Sequence, residues 1–138
     1  MSAQVVFGGL GVIGSAITKR FLESGLKVII IDGEDGDSEN IQDLLAGWKE
    51  KLVYHRVDIR NGEELESLSR EIFLREDRID SVINCIASKT NNLKKFFSKA
   101  DVYPDDTWEE VIEVNLSGAF RILKAFGSPM AERGHGSI

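Results

Sequence analysis

Hydrophobic and polar positions follow two periods along this chain. Short, nearly unbroken apolar runs recur at 4–8, 27–32, 52–57 and 81–86. Between them lie longer stretches whose apolar residues return every three or four positions. The short runs read as strands, the one at 81–86 as a strand buried on both faces, and the long ones as amphipathic helices. The first helix is expected over 12–24, with Gly25 as its C-terminal stop. A polar loop opens at Gly33, and a helix is expected over about 38–50. Asp58 closes the third strand. Asn61 caps the next helix, in which Leu65, Leu68 and Ile72 recur. Beyond a polar loop at 88–92 and Pro104, the longest periodic segment runs over 106–126. Its stripe, which includes Trp108, Ile112, Leu116, Ile122, Leu123 and Phe126, is too broad for one contact. It predicts a helix packed on the sheet and on a partner, hence a homo-oligomer.

Strand and helix alternate from end to end. With right-handed crossovers this predicts an α/β fold, a Rossmann-type doubly wound parallel sheet with strand order 3-2-1-4. His135 to Ile138 reads as the start of a fifth strand. Strand 4 would otherwise be an edge with Val82, Ile83 and Ile86 uncovered, and natural domains usually cover such edges. The chain therefore reads as one domain over 1–138, the first half of a larger unit.

Composition narrows the class. A length of 138 residues suits one domain with a real core, and 42% hydrophobic content is ordinary for a globular protein. The net charge of −6 argues against nucleic acid or an anionic membrane as partner. A single cysteine excludes an internal disulfide and, without His and Cys clusters, a zinc site. The apolar start lacks a basic leader, and no run reaches the ~18 apolar residues of a membrane span. A cytoplasmic protein is expected.

The chemistry concentrates at the first strand-to-helix junction. Val5 and Val6 lead into glycines at 8, 9, 11 and 14, and a helical pattern follows. Strand, glycine turn and helix let backbone approach a pyrophosphate, whose charge the helix N-terminus then meets. Gly8 serves the tight turn, Gly11 clears the space for phosphates, and Gly14 lets the helix pack flat. A glycine motif alone is equally an ordinary turn. Its acidic partner is expected about twenty residues on, after a second strand. Asp32 stands there, eighteen residues after Gly14.

Taken together, this motif, Asp32, Val57-Asp58-Ile59, Asn84-Cys85-Ile86-Ala87, the run from Trp108 to Phe120 and Gly136-Ser137-Ile138 resemble the short-chain dehydrogenase/reductase family. The resemblance spans nearly the whole chain. It implies a nicotinamide cofactor, a small-molecule substrate and hydride transfer at a hydroxyl/carbonyl carbon. Gly8, Gly11, Val12, Ile13 and Gly14 would shape the pyrophosphate turn. Asp32 would hold the adenosine ribose hydroxyls, and Asp58, with Ile59 beside it, the adenine amino group. Asn84 and Ala87 would lie along the cofactor. Asn115 would be the helix asparagine that supports a catalytic lysine through a water.

The chain departs from the family pattern in places. Phe7 stands where threonine is usual, and Asn-Cys-Ile-Ala replaces Asn-Asn-Ala-Gly. The glycine spacing is nearer the sugar-nucleotide epimerase branch, which keeps that reading as an alternative, along with a non-catalytic NAD-binding module. The family's Tyr-x-x-x-Lys is absent: Asp58 follows Tyr54 and Thr107 follows Tyr103 at that spacing. The chain as written is expected not to turn over.

NAD is expected over NADP. Asp32 sits where a 2′-phosphate would go, Glu34, Asp35 and Asp37 follow, and no Lys or Arg lies between 32 and 48. Asp32 as a mere turn cap is the competing reading. Cys85 reads as a small core residue, His55 as surface, and His135 as part of a flexible turn. Asn115 is either functional or a buried hydrogen-bonded residue. The stretch 88–106, with lysines around Phe96 and Phe97, reads as a solvated loop pinned by the two rings, ahead of a cover for a phosphorylated substrate.

Overall fold

A computed structural model of the chain describes residues 2–34, 42 and 46–138. Four parallel strands form one sheet in the order β3-β2-β1-β4: β1 Ser2–Phe7, β2 Lys27–Asp32, β3 Leu52–Arg56 and β4 Arg78–Asn84. The expected order is thus observed. Val5 pairs with Ile29 on one side and Val82 on the other, which makes β1 the central strand. Helix α1 spans Val12–Glu23 and α2 spans Gly62–Arg75. The expected helix over 38–50 lies largely outside the described residues, as do Asp35 and Asp37. No helix among the described residues is long and apolar enough to cross a membrane.

The pleat assigns each apolar run to two layers. Val5, Phe7, Ile29 and Ile31 face a core completed by Leu65 and Ile72 of α2 and by Ile122 and Phe126 further on. Val6, Val28 and Ile30 face the other way, onto Leu22, Ile17 and Phe21 of α1. Phe7 and Phe126 meet edge to face with centroids 5.4 Å apart. Gly25, at φ +81°, ends α1 as expected: its N–H reaches the Leu22 carbonyl, and that of Leu26 reaches Phe21. Asn61 caps α2, its side chain accepting from the Glu64 N–H at 3.2 Å.

Strand β4 begins and ends earlier than its apolar run suggests. Arg78-Ile79-Asp80 alternates, with Ile79 fully buried, so this half of the strand carries the period of a half-exposed element. Cys85 and Ile86 fall beyond it. The edge of β4 is also less open than expected. Ser137 lies parallel to Ser81, the Val82 N–H donates to the Ser137 carbonyl at 2.9 Å, and Val82 is buried.

The last helical segment runs further than 126. Helix α3, Asp105–Ile112, continues through a π-helical stretch, Glu113–Gly118, into α4, Ala119–Arg133. Gly127, Ser128 and Pro129 are poor helix formers, yet all three lie inside α4. Proline supplies no N–H, which frees the carbonyl four residues earlier, that of Ala125. The Ser69 hydroxyl of α2 donates to this carbonyl at 2.6 Å in a buried setting. Met130, one turn past Phe126, is buried and anchors the extension.

Candidate functional site

The site begins where β1 gives way to α1. Gly8 leaves the strand at φ +70°, a conformation that glycine adopts freely, and its N–H bonds the Ile31 carbonyl at 2.8 Å. The Gly11 N–H folds back to Gly8 O at 3.1 Å. The first intrahelical bond runs from Ser15 N–H to Gly11 O, so the amides of Val12, Ile13 and Gly14 precede it. No side chain caps this end, and no acid occupies its first turn. The terminus therefore presents donors and a positive dipole end to an incoming anion. Val12 and Ile13 flank it with exposed apolar side chains, 91% and 69% accessible.

Each glycine of the turn has its own steric reason. A Cβ on Gly14 would overlap the Gly8 carbonyl and come within 2.8 Å of its carbon. On Gly9 it would press into Ile30 at 2.9 Å, a packing role the motif by itself does not assign. On Gly11 it would meet only Gly8 O, at an ordinary 3.4 Å. Gly8 and Gly14 thus answer to the fold, whereas the fold leaves Gly11 free.

Asp32 ends β2 across the crevice from this turn, and it is nearly buried. Its Oδ2 accepts the Leu10 N–H at 3.1 Å, and its Oδ1 accepts the Glu34 N–H at 3.3 Å. The carboxylate does cap its own turn, and it also fastens the glycine turn to β2. The two sequence readings of Asp32 are compatible in one geometry. The linear reading missed Arg56. It pairs in register with Asp32 on β3, and its Nε donates to the Gly33 carbonyl at 3.4 Å.

A cleft of about 390 Å³ opens beside Asp32, lined in part by Val57, Asp58, Ile59, Ile86 and Val114. Asp58 stands at its rim in a fork with Arg60, and that guanidinium's hydrogen bonds hold the Asp58 carboxyl below the usual carboxylate range. Ile59 lines the cleft, but its side chain is buried in the core, and its Cγ1 would lie 3.0 Å from a Cβ placed on Gly118. It serves mainly to seat the π-helical stretch against the sheet.

The end of β4 supplies the opposite lip. Asn84 is exposed, its Oδ1 accepting the Ile86 N–H at 3.0 Å, and Ala87 is exposed beyond it. Asn115 sits in the π-helical stretch and pairs with the backbone of Ser88 at both ends of its amide. Its Oδ1 accepts the Ser88 N–H at 2.7 Å, and its Nδ2 donates to the Ser88 carbonyl at 3.0 Å. This single side chain ties the long helix to the loop after β4. A π-helical turn at such a place is common at functional sites.

Three singleton readings change. Cys85 is half-buried beyond the strand rather than in the core, and burial pushes its thiol pKa up, away from the thiolate a nucleophile needs. His55 is half-buried on β3, with its pKa lowered by burial. The rings at 96 and 97 stack edge to face on each other, centroids 5.0 Å apart, and leave Phe97 71% exposed. They do not pin the loop to the core. Order there comes from Asn92 capping a single turn, Leu93–Phe96, and from a Lys95–Asp106 ion pair at 2.7 Å.

A doubly wound parallel sheet whose first crossover presents an uncapped helix N-terminus beside a strand-end carboxylate is a nucleotide-binding α/β architecture. The family model described as short chain dehydrogenase matches residues 3–138, and the chain belongs to that family. Among curated relatives, 3beta-hydroxysteroid dehydrogenase 2 of Eggerthella lenta is 27% identical over 134 residues, which cover 97% of this chain and 50% of that protein. D-xylose 1-dehydrogenase of Caulobacter vibrioides is 30% identical, with the same coverage. The chain spans about half the length of the curated relatives it matches. An NAD+-bound xylitol dehydrogenase shares the fold at a TM-score of 0.85 and 22% identity, over 98% of this chain and 50% of that one.

Proposed function

We propose that this chain forms the cofactor-binding half of an NAD-dependent oxidoreductase. The observation that carries the reading is the uncapped start of α1 behind the Gly8–Gly11 turn, facing the Asp32 carboxylate. The donors of Val12, Ile13 and Gly14 suit a pyrophosphate. Asp32 suits a pair of ribose hydroxyls, because an ionised carboxylate only accepts. When bound, the nicotinamide supplies a hydride donor or acceptor for a hydroxyl/carbonyl carbon. This chain's residues bind and orient it. Asn84 and Ala87, at and just beyond the end of β4, and Asn115, tied to Ser88, would lie along the reacting end. Asn115 is a positioning residue through Ser88. Proton transfer to a substrate oxygen needs an acid such as a lysine-activated tyrosine, which this sequence lacks, so the 138-residue chain alone binds without turning over.

The preference for NAD rests on charge. A phosphate 4 Å from Asp32 meets about 4 kcal/mol of repulsion at an effective dielectric near 20. Partial exposure reduces this to about 1–3 kcal/mol, or roughly ten- to hundredfold in affinity. Glu34 adds to the repulsion, and Arg56 at Gly33 works against it from the surface. Titration of the chain with NAD and NADP tests the assignment. NAD should bind at least tenfold tighter, and Asp32→Ala should narrow that ratio. An unchanged ratio in the variant would sink the role given to Asp32.

The exposed stripe of Trp108, Leu116, Phe120 and Leu123, each more than half accessible, supports self-association. Sedimentation showing only monomer at micromolar concentration would contradict it.

A further inference from the structure

The cleft beside Asp32 has apolar walls and a polar rim. Val57, Ile86 and Val114 line its sides, and Asp58 stands at its edge. An amine-bearing purine suits this surface, with apolar contact for its rings and a carboxylate for its amino group. That much rests on the NAD-binding reading. The Asp58 carboxylate, however, is already engaged. Its Oδ1 accepts the Arg60 backbone N–H at 2.9 Å and Nε at 3.0 Å. Its Oδ2 accepts Nε at 2.9 Å and Nη2 at 2.6 Å. These are three protons, the Nε–H being shared between the two oxygens, so of the about four lone-pair directions of a carboxylate one stays open. The two side chains are 46% and 55% exposed, and pairs this open contribute little to stability. The fold does not need the fork.

We propose that Arg60 is a specificity-determining residue at the adenosine end of the site. It holds both oxygens of Asp58 in the free chain and must share them with the purine amine. It therefore competes with the base and limits discrimination at the purine 6-position. Glu110 lines the same cleft and acts on the Arg60 charge, which gives the released guanidinium another partner. Without Arg60, Asp58 stands open: it accepts the adenine amine fully, and it repels an oxo group at the same place.

The test compares NAD with nicotinamide hypoxanthine dinucleotide, which carries an oxo group in place of the amine. Both are titrated calorimetrically into the chain and into Arg60→Ala and Asp58→Asn. The two ligands share pyrophosphate, riboses and nicotinamide, so the ratio of their dissociation constants isolates the 6-amino/N1 edge of the base, where the oxo form also turns N1 into a donor. In the original chain the ratio should favour NAD by a few-fold. In Arg60→Ala it should widen about tenfold, the scale of one charge-assisted hydrogen bond, with an unchanged urea midpoint. In Asp58→Asn it should fall toward one. A ratio that stays put or narrows in Arg60→Ala overturns the proposal, as does an undiminished ratio in Asp58→Asn. If the original chain binds neither dinucleotide, the NAD reading fails and this inference fails with it. If NAD binds but the ratios do not move as stated, only the inference falls.

Discussion

Two alanine substitutions three residues apart should separate folding from binding. Gly14 faces backbone: a Cβ there overlaps the Gly8 carbonyl oxygen and stands 2.8 Å from Gly8 C and 2.9 Å from Gly9 Cα. Carbon atoms prefer about 3.5–4.0 Å, so the helix must retreat by the better part of an ångström. The turn cannot easily give way, because Gly8 is held at both its N–H and its carbonyl. Overpacking of this kind costs about 1–3 kcal/mol, and two backbone walls place it near 3. Removing a helical glycine returns about 1 kcal/mol. Gly14→Ala should therefore lose about 2 kcal/mol, roughly a thirtyfold shift of the folding equilibrium.

Gly11 is the control. Its φ of −70° is open to any residue, and its Cβ would meet Gly8 O at 3.4 Å. Alanine caps a helix less well than glycine but reduces the entropy of the unfolded chain, so the net change should stay within about 1 kcal/mol. A methyl group there would occupy the approach to the free amides of α1. NAD affinity should fall at least about tenfold, or 1.4 kcal/mol. Urea unfolding with calorimetric titration reads both quantities. A Gly14→Ala protein as stable as the original would refute the packing argument. A Gly11→Ala protein that binds NAD undiminished would remove the pyrophosphate from this turn.

Two further outcomes follow from buried polar groups. Ser69→Ala strips the Ala125 carbonyl of the Ser69 hydroxyl donor and should cost about 1–3 kcal/mol in urea unfolding; Pro129→Ala restores an N–H to the same carbonyl, so the double variant should recover most of the loss, and simple additivity would refute the pairing. Burial holds the His55 pKa below the ordinary 6.5, against the nearby Glu71 carboxylate, so the unfolded chain takes up the proton first as pH falls. Stability should therefore be fully present above pH 6.5, decline as pH drops below it, and level off once the folded-state pKa is passed. His55→Gln should flatten that part of the profile, and parallel profiles for the two proteins would contradict the assignment.

The apolar runs made the sheet legible because buried strands leave a clear pattern, and the glycine turn after the first strand, joined to right-handed crossovers, pointed to the order 3-2-1-4. The long helix was legible in kind but not in length. The expected segment ended at Phe126, and the poor helix formers Gly127, Ser128 and Pro129 that follow it stay helical with a donor from α2, far away in sequence, on the carbonyl the proline frees. The site divides in the same way. The glycine turn and Asp32 lie within one crossover, so their spacing revealed them. Arg56 reaches the site through the register of β3, and Arg60 through a side-chain fork onto Asp58 two residues before it. A charge count between 32 and 48 gave a wholly acidic adenosine end, yet the fold brings two guanidinium groups to it. Specificity here is thus a contest between carboxylates that the local sequence announces and two arginines, one delivered by the register of the sheet and one by a side-chain fork. Ratios of closely matched ligands probe that contest better than any single affinity.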